Sequence, residues 1–395
     1  MCHATKRSRA ARPENTITTK VKGQPMKSIE GLRFLILLAW WGFSTGIAIA
    51  QQSTVAEQVD AVVKVAMEKQ RIPGLSLAVV KDGKTVLARG YGLANVELNV
   101  AATPETVYEI GSVTKQFTAT AVMMLVEQGK IALDDKIAKY LSGLPEAWKE
   151  ITVRHLLTHT SGIRNVNSLP DFARLRMTPG SQERLVGVLA ASPLQFDPGA
   201  KWAYCNTGYQ LLGWIVEKVS GVPYAAFLQE RIFTPLEMRA TQVNDSGRIV
   251  KSRAGGYLLQ EGTLRNAGYI DMSWPFSAGA IVSTVVDLAK WNLALDEGKL
   301  LKPSSFKEMW TPVRLNSGET HGYGFGWSLE KTANGHPMVF HGGNIVGFQS
   351  FIVRYPEDRL TVVILTNADF CVPRVIAWRV ASLFEPSLPA PKQKP

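Results

Sequence analysis

The chain has 395 residues, 46% hydrophobic and 19% charged, which is enough apolar material for one or two compact domains with a large core and leaves disorder expected only at the ends. Its formal net charge of +11 overstates its basicity: eight of the 44 basic and two of the 33 acidic residues lie in positions 1–50, leaving 36 against 31, or +5, for the rest. Lys and Arg are scattered through that remainder without a run or an aromatic-interleaved patch, which argues against a nucleic-acid partner.

Lys27 and Arg33 precede an uncharged stretch, Phe34 to Ala50, that closes on Ala48-Ile49-Ala50 before Gln51-Gln52. A basic start, an apolar run and small residues at its end are the marks of an export signal, here 26–50, with the mature chain starting at Gln51. Met26 stands at the head of this segment, so residues 1–25 read as an upstream extension. The alternative is an uncleaved membrane anchor, although seventeen residues barely span a bilayer. The expected location is periplasmic or secreted, with membrane contact only through an uncleaved signal. Cys2 falls in the leader, leaving Cys205 and Cys371, bonded or free. No Cys/His cluster has metal-ligand spacing, so neither metal nor cofactor is expected.

Residues 55–71 carry apolar positions at helical spacing, and Ser76–Val80 and Thr85–Arg89 flank Lys81-Asp82-Gly83-Lys84 in a strand-turn-strand pattern. Helical signals fill the middle: Thr114–Gln128, Val153–His159 behind a Thr152 cap, Thr207–Val219, and Val285–Leu295 behind Ser283 and Thr284. Gly324–Leu329, Met338–Phe340, Phe348–Tyr355 and Leu360–Leu365 read as strands, with Pro356-Glu357-Asp358 as a turn. Arg374–Leu383 reads as a last helix, with Pro373 suited to its first turn. These elements imply an α+β fold in residues 51–385. One antiparallel sheet is built from both chain ends (about 55–110 and 280–385), flanked by helices and interrupted by a mostly helical insert (about 111–279). Residues 386–395 read as a flexible, low-complexity tail.

Ser-x-x-Lys occurs at Ser112, Ser304 and Ser328, and ordinary composition gives about one or two chance matches in a chain of this length. Context favours Ser112. Gly111 permits a tight entry, the following helix is apolar enough to be buried, and a three-residue step puts the Ser112 hydroxyl and the Lys115 amine on one face. Burial would lower the lysine pKa, and the helix N-terminus would favour a developing alkoxide. Tyr204-Cys205-Asn206 is the single Tyr-x-Asn, follows Pro198-Gly199 and precedes a helix. It offers a phenol, its pKa lowered by a neighbouring ammonium, to relay a proton, and an amide to orient a carbonyl. A buried Tyr with a helix-capping Asn is the plainer alternative. His341-Gly342-Gly343-Asn344 follows a strand-like segment, and its glycines would let a substrate backbone lie along a sheet edge. The backbone amides of Ser112 and Asn344 could then form an oxyanion hole. A Gly-rich hairpin with an incidental His is the alternative there.

Gly111-Ser112-Val113-Thr114-Lys115, Tyr204-Cys205-Asn206-Thr207-Gly208-Tyr209 and His341-Gly342-Gly343 stand in the order of the three motifs of the serine β-lactamase and penicillin-binding-protein family. That family includes class C β-lactamases, D-Ala-D-Ala carboxypeptidases and related esterases. His155-Leu156-Leu157-Thr158-His159-Thr160-Ser161-Gly162 and Gly322-Tyr323-Gly324-Phe325-Gly326-Trp327 are also similar to it, and the likeness runs from about Val55 to Phe384. The resemblance implies a β-lactamase/transpeptidase-like fold. It makes Ser112 the nucleophile, Lys115 and Tyr204 its activating pair, Asn206 a substrate contact, and the amides of Ser112 and Asn344 the oxyanion hole. The third motif, His341, Gly342 and Gly343, would line the substrate. Where the β-lactamases carry Lys-Thr/Ser-Gly, this chain has a His of little charge at neutral pH and a glycine without a hydroxyl. That departure tilts the expectation from a dedicated β-lactamase toward a peptidase or esterase.

Other matches are set aside. Gly42-Phe43-Ser44-Thr45-Gly46 fits a nucleophile elbow but lies in the signal segment. His155 and His159 lack a third ligand and read as satisfied structural histidines, His321 and His336 have no partner pattern, and Cys205 reads as filler pointing away from the cleft. The expectation is an exported serine hydrolase acting on a small-molecule or peptide ester, amide or β-lactam through a Ser112 acyl-enzyme. The alternative is a penicillin- or cell-wall-peptide-binding sensor or scaffold that does not turn over.

Overall fold

The computed structural model describes residues 18, 20 and 53–389; the expected signal segment, its cleavage point and residues 390–395 lie outside the described residues. Helix α1 (Val55–Gln70) starts at a capping box. The Thr54 hydroxyl accepts from Glu57 N at 3.3 Å, while the Glu57 carboxylate accepts from Thr54 N at 2.7 Å. Strands β1 (Gly74–Lys81) and β2 (Lys84–Asn95) follow as a hairpin. Asp82 (φ 50°) and Gly83 (φ 75°) take the two positive-φ positions that a two-residue hairpin turn requires. After β3 (Val100–Ala101) come α2 (Thr114–Glu127), α3 (Asn206–Ser220) and α4 (Val285–Asp296). The C-terminal part supplies β4 (Ser328–Lys331), β5 (Pro337–Ile345), β6 (Phe348–Tyr355), β7 (Leu360–Thr366) and α5 (Pro373–Phe384).

One sheet takes strands from both ends in the order β4-β5-β6-β7-β1-β2-β3. The ends meet where β1 pairs antiparallel with β7, from Leu75 opposite Thr366 to Lys81 opposite Leu360. The two-residue alternation of β1 feeds two cores. Leu75, Leu77 and Val79 pack with Val59 and Val63 of α1 and Ile376 and Val380 of α5, whereas Ala78 and Val80 join the layer that contains Phe117 of α2 and Leu288 of α4. Each fully buried Val, Leu or Ile contributes about 1.5–3 kcal/mol against leaving it in water. A sheet buried on both faces is therefore the rigid base of the molecule. A small three-stranded sheet of Tyr108–Glu109, Ile281–Ser283 and Gln242–Val243 joins it to the helical part.

Three details differ from the sequence reading. Gly324–Trp327 is not strand, because Gly326 turns at φ 78° and a Cβ there would sit 2.7 Å from Lys115 O; the segment bends to admit the α2 backbone. The segment between Asp245 and Trp274, to which the sequence reading gives no strand, contains a hairpin of Tyr257–Gln260 and Thr263–Asn266. The packed chain also runs past Glu385: Leu388 is buried, and Ser387 O accepts from the Asn334 amide at 2.6 Å.

Candidate active site

Ser112 occupies a single helical turn, Gly111–Val113, that leads directly into α2. Two glycines allow this turn to touch strand β5. Gly111 is at φ 50°, and a Cβ there would meet Asn344 N at 2.9 Å; a Cβ on Gly343 would meet Ile110 O at 2.0 Å. The Ser350 hydroxyl, opposite Gly343 in the sheet, donates to Ile110 O at 2.7 Å and fastens the contact. The Ser112 N–H lies in the first turn, where helical amides are left without partners, and has no backbone acceptor among the described residues. It faces the same cleft as Asn344. Strand β4 pairs only with Pro337–Phe340, so on that side Gly342–Ile345 have no ladder partner among the described residues, and a sheet edge lies open beside Ser112.

Lys115 lies one turn along α2 and is completely buried. Its Nζ is 2.9 Å from Ser112 Oγ, 2.8 Å from Asn206 Oδ1 at the start of α3 and 2.8 Å from Ala278 O. Burial holds its pKa well below the ordinary lysine value. A neutral amine has two N–H donors and one lone pair. With Asn206 Oδ1 and Ala278 O, which can only accept, taking those donors, the neutral form would turn its lone pair to the Ser112 hydroxyl.

Tyr204 lines the cleft with Ser112, and its ring centroid lies 4.8 Å from Lys115 Nζ. Its hydroxyl is buried and has no hydrogen-bond partner among the described residues. Burial pushes the phenol pKa up, and the Ser112 hydroxyl pulls it only partly back. This reverses the expected lowering by a neighbouring ammonium, because the ring is buried. The phenol is a proton donor at rest. His159, at φ 60°, stands behind it with ring centroids 4.4 Å apart, and its Nδ1 accepts from Cys205 N at 3.1 Å. His159 therefore braces the Tyr204-Cys205-Asn206 loop. It is not fully satisfied, since Nε2 is buried without a partner, and burial holds its pKa well below the ordinary histidine value. His155 is elsewhere, closing a capping box with Thr152.

His341 is buried and lines the strand-side cleft. Its Nδ1 is 2.6 Å from Gly342 O, which can only accept, so Nδ1 carries the proton and Nε2 accepts from the Tyr323 hydroxyl at 3.0 Å. Burial lowers its pKa to about 3. The third motif is thus neutral, and its imidazole is committed to protein partners.

Ser112 stands where two clefts meet. The helical-side cleft, about 620 Å³ counted to its solvent mouth, is walled by Asn206, Gln210, Trp274, Asn344 and Arg176. The strand-side cleft runs along 340–344 toward the start of α5. The other Ser-x-x-Lys matches have no such setting. Ser304 and Lys307 are exposed, and Ser328 and Lys331 lie in a strand, where a three-residue step puts them on opposite faces. Cys205 is buried, its thiol donates to Ile163 O at 3.3 Å, and both Cys205 and Cys371 are free. The sequence reading missed Ala278, Tyr323, His159 and Arg176. His159 and Tyr323 lie in segments that carried the family likeness, whereas Ala278 contributes only a carbonyl and leaves no side-chain signal.

Comparisons with known proteins bear on the fold and the family. The Beta-lactamase family profile matches residues 59–383. Penicillin-binding protein 4* of Bacillus subtilis (strain 168) is 30% identical over 322 residues, 76% of this chain and 69% of that protein. Protein flp of Staphylococcus aureus (strain MW2) is 30% identical over 324 residues, 79% of this chain and 63% of its own length, so the chain spans less than two thirds of that relative. Among solved structures, D-amino acid amidase from Ochrobactrum anthropi SV3, complexed with L-phenylalanine amide, superposes with a TM-score of 0.74 at 26% identity, covering 85% of this chain and 99% of that one. The octameric penicillin-binding protein homologue from Pyrococcus abyssi gives 0.72 at 31% identity, covering 83% and 77%. A profile that accounts for nearly all of the folded region, on a matching sheet and helical insert, makes the chain a member of the Beta-lactamase family, within the serine hydrolase superfamily.

Proposed function

We propose that the chain is an exported serine hydrolase that cleaves amide or ester bonds through an acyl-enzyme on Ser112, as a peptidase or esterase rather than a dedicated β-lactamase. The observation that carries this reading is the 2.9 Å contact between Ser112 Oγ and Nζ of the buried Lys115, whose pKa burial lowers. Ser112 attacks the carbonyl carbon and its proton passes to Lys115 Nζ. The oxyanion lies between the Ser112 and Asn344 amides. Tyr204 gives its proton to the leaving group, and the Lys115 ammonium returns one to the phenolate. Water then attacks the acyl-enzyme, losing its proton to the same pair, and Ser112 is released.

The neutral His341 and side-chain-free Gly342 support the tilt away from β-lactamase, because neither supplies a cation or a hydroxyl to a penicillin carboxylate. Similarity to a D-amino acid amidase and a D-stereospecific amidohydrolase supports amide substrates. Export rests on the 26–50 segment. The test is intact-mass spectrometry of residues 51–395 and of Ser112→Ala after exposure to a penicillin, alongside hydrolysis of p-nitrophenyl butyrate. A Ser112-dependent adduct or Ser112-dependent ester turnover supports the reading. A stable adduct with no released product and no ester turnover would show a binding protein instead.

A further inference from the structure

Arg176 is the one charged side chain among the described residues that line the helical-side cleft with Ser112. Its backbone is fixed on both sides: its N–H donates to Phe172 O at 3.0 Å and its carbonyl accepts from Asp271 N at 2.8 Å. The side chain has neither an ion pair nor a hydrogen bond among the described residues, and its Nε is completely buried. The neighbouring acids are otherwise engaged. Asp171 meets Arg174 at 3.5 Å, and Asp271 accepts from Ser273 N at 3.0 Å and from the Tyr269 hydroxyl at 3.3 Å. A guanidinium in a cleft wall, carried on a fixed backbone, with a buried donor and no protein carboxylate, is an anion site waiting for its partner, and its planar fork suits a carboxylate. The third motif on the opposite side of Ser112 carries no charge, and among the described residues lining the strand-side cleft the one charged side chain is Arg374, in the first turn of α5.

We infer that Arg176 is a specificity residue: it selects substrates whose portion in the helical-side cleft bears a carboxylate. This rests on Ser112 being the nucleophile. The experiment compares kcat/KM for p-nitrophenyl butyrate with that for its succinyl half-ester, which carries the carboxylate on the acyl side, and for 4-carboxyphenyl butyrate, which carries it on the leaving side. The measurements are made in the wild type, Arg176→Gln, Arg176→Lys and Arg374→Gln, the last removing the charge of the strand-side cleft. The wild type prefers one of the carboxylated esters over the neutral one. In Arg176→Gln that ratio falls about ten- to hundredfold, the range of one charge-assisted contact, and in Arg176→Lys it falls less. The neutral ester reports in every variant that the site is folded. Ratios that do not respond to Arg176, or that fall in Arg374→Gln instead, overturn the proposal while leaving the nucleophile intact. Absence of Ser112-dependent turnover of any ester removes the underlying reading, and the proposal with it.

Discussion

Lys115 Nζ meets Ser112 Oγ at 2.9 Å with no carboxylate in contact with either group. Burial holds the Lys115 pKa well below the ordinary lysine value, which favours the amine that the proposed mechanism uses as its base. Lys115→Met should lower kcat by about 10³-fold or more, and Lys115→Arg, which cannot deprotonate, should be equally inactive. In the wild type, activity is lost on the acid side as Lys115 takes up its proton, at a pH below the ordinary lysine value of 10.5. A pH–rate profile with its rising limb at or above that value would contradict a neutral resting amine.

The His341 ring gives the fold an acid sensitivity. Below pH 6.5 the unfolded chain gains a proton there that the folded chain refuses until about pH 3, so stability is lost as pH falls through that window. Two pH units correspond to about 2–3 kcal/mol. Denaturant melts at pH 6.5 and 4.5 should show His341→Gln losing less stability over that interval than the wild type by an amount of this order.

Two adjacent glycines of β5 should respond oppositely. A Cβ on Gly343 collides with Ile110 O at 2.0 Å, whereas one on Gly342 meets only Phe351 Cδ2 at 3.5 Å and Ser350 O at 3.7 Å, ordinary contacts. Gly343→Ala should break the junction between β5 and the Ser112 turn and abolish acylation. Gly342→Thr should fold and, by adding a hydroxyl beside Ser112, raise the rate of penicillin acylation measured by mass spectrometry.

Gly213 in α3 is the third case. Alanine there gains about 1 kcal/mol of helix propensity, but its Cβ would lie 2.1 Å from Ser277 Oγ and 2.5 Å from Ser277 Cβ. Overpacking of that kind costs about 1–3 kcal/mol and outweighs the gain. Because residues 276–279 deliver Ala278 O to Lys115, Gly213→Ala should lower both the melting temperature and kcat. Unchanged values of both would show that the segment yields without cost.

The parts of the site that were legible in the sequence are those made locally. Ser112 and Lys115 are one helical turn apart, and Tyr204 and Asn206 flank a helix start, so spacing alone brings each pair together. The direction of the Tyr204 pKa was misread because burial is a property of the assembled fold, here supplied by the His159, Tyr323 and His341 rings. Gly324–Trp327 mimics a strand by alternating glycine with aromatics, and only the approach of Lys115 O to Gly326 shows why it turns. The hairpin at 257–266 escaped notice because its strands are only four residues each, the second is mostly polar and exposed, and its turn, Glu261-Gly262, is not an Asn-Gly or Asp-Gly pair.

If the site acts as proposed, the pairing of β1 with β7 also times the appearance of activity. Ser112 and Lys115 leave the ribosome early, but the strand that carries Asn344 comes more than two hundred residues later and is held in place by neighbours that must find the N-terminal hairpin. Until that closure the nascent chain holds a serine and an amine with nothing to stabilise an oxyanion. Its chemistry is silent throughout synthesis and switches on only in the finished fold.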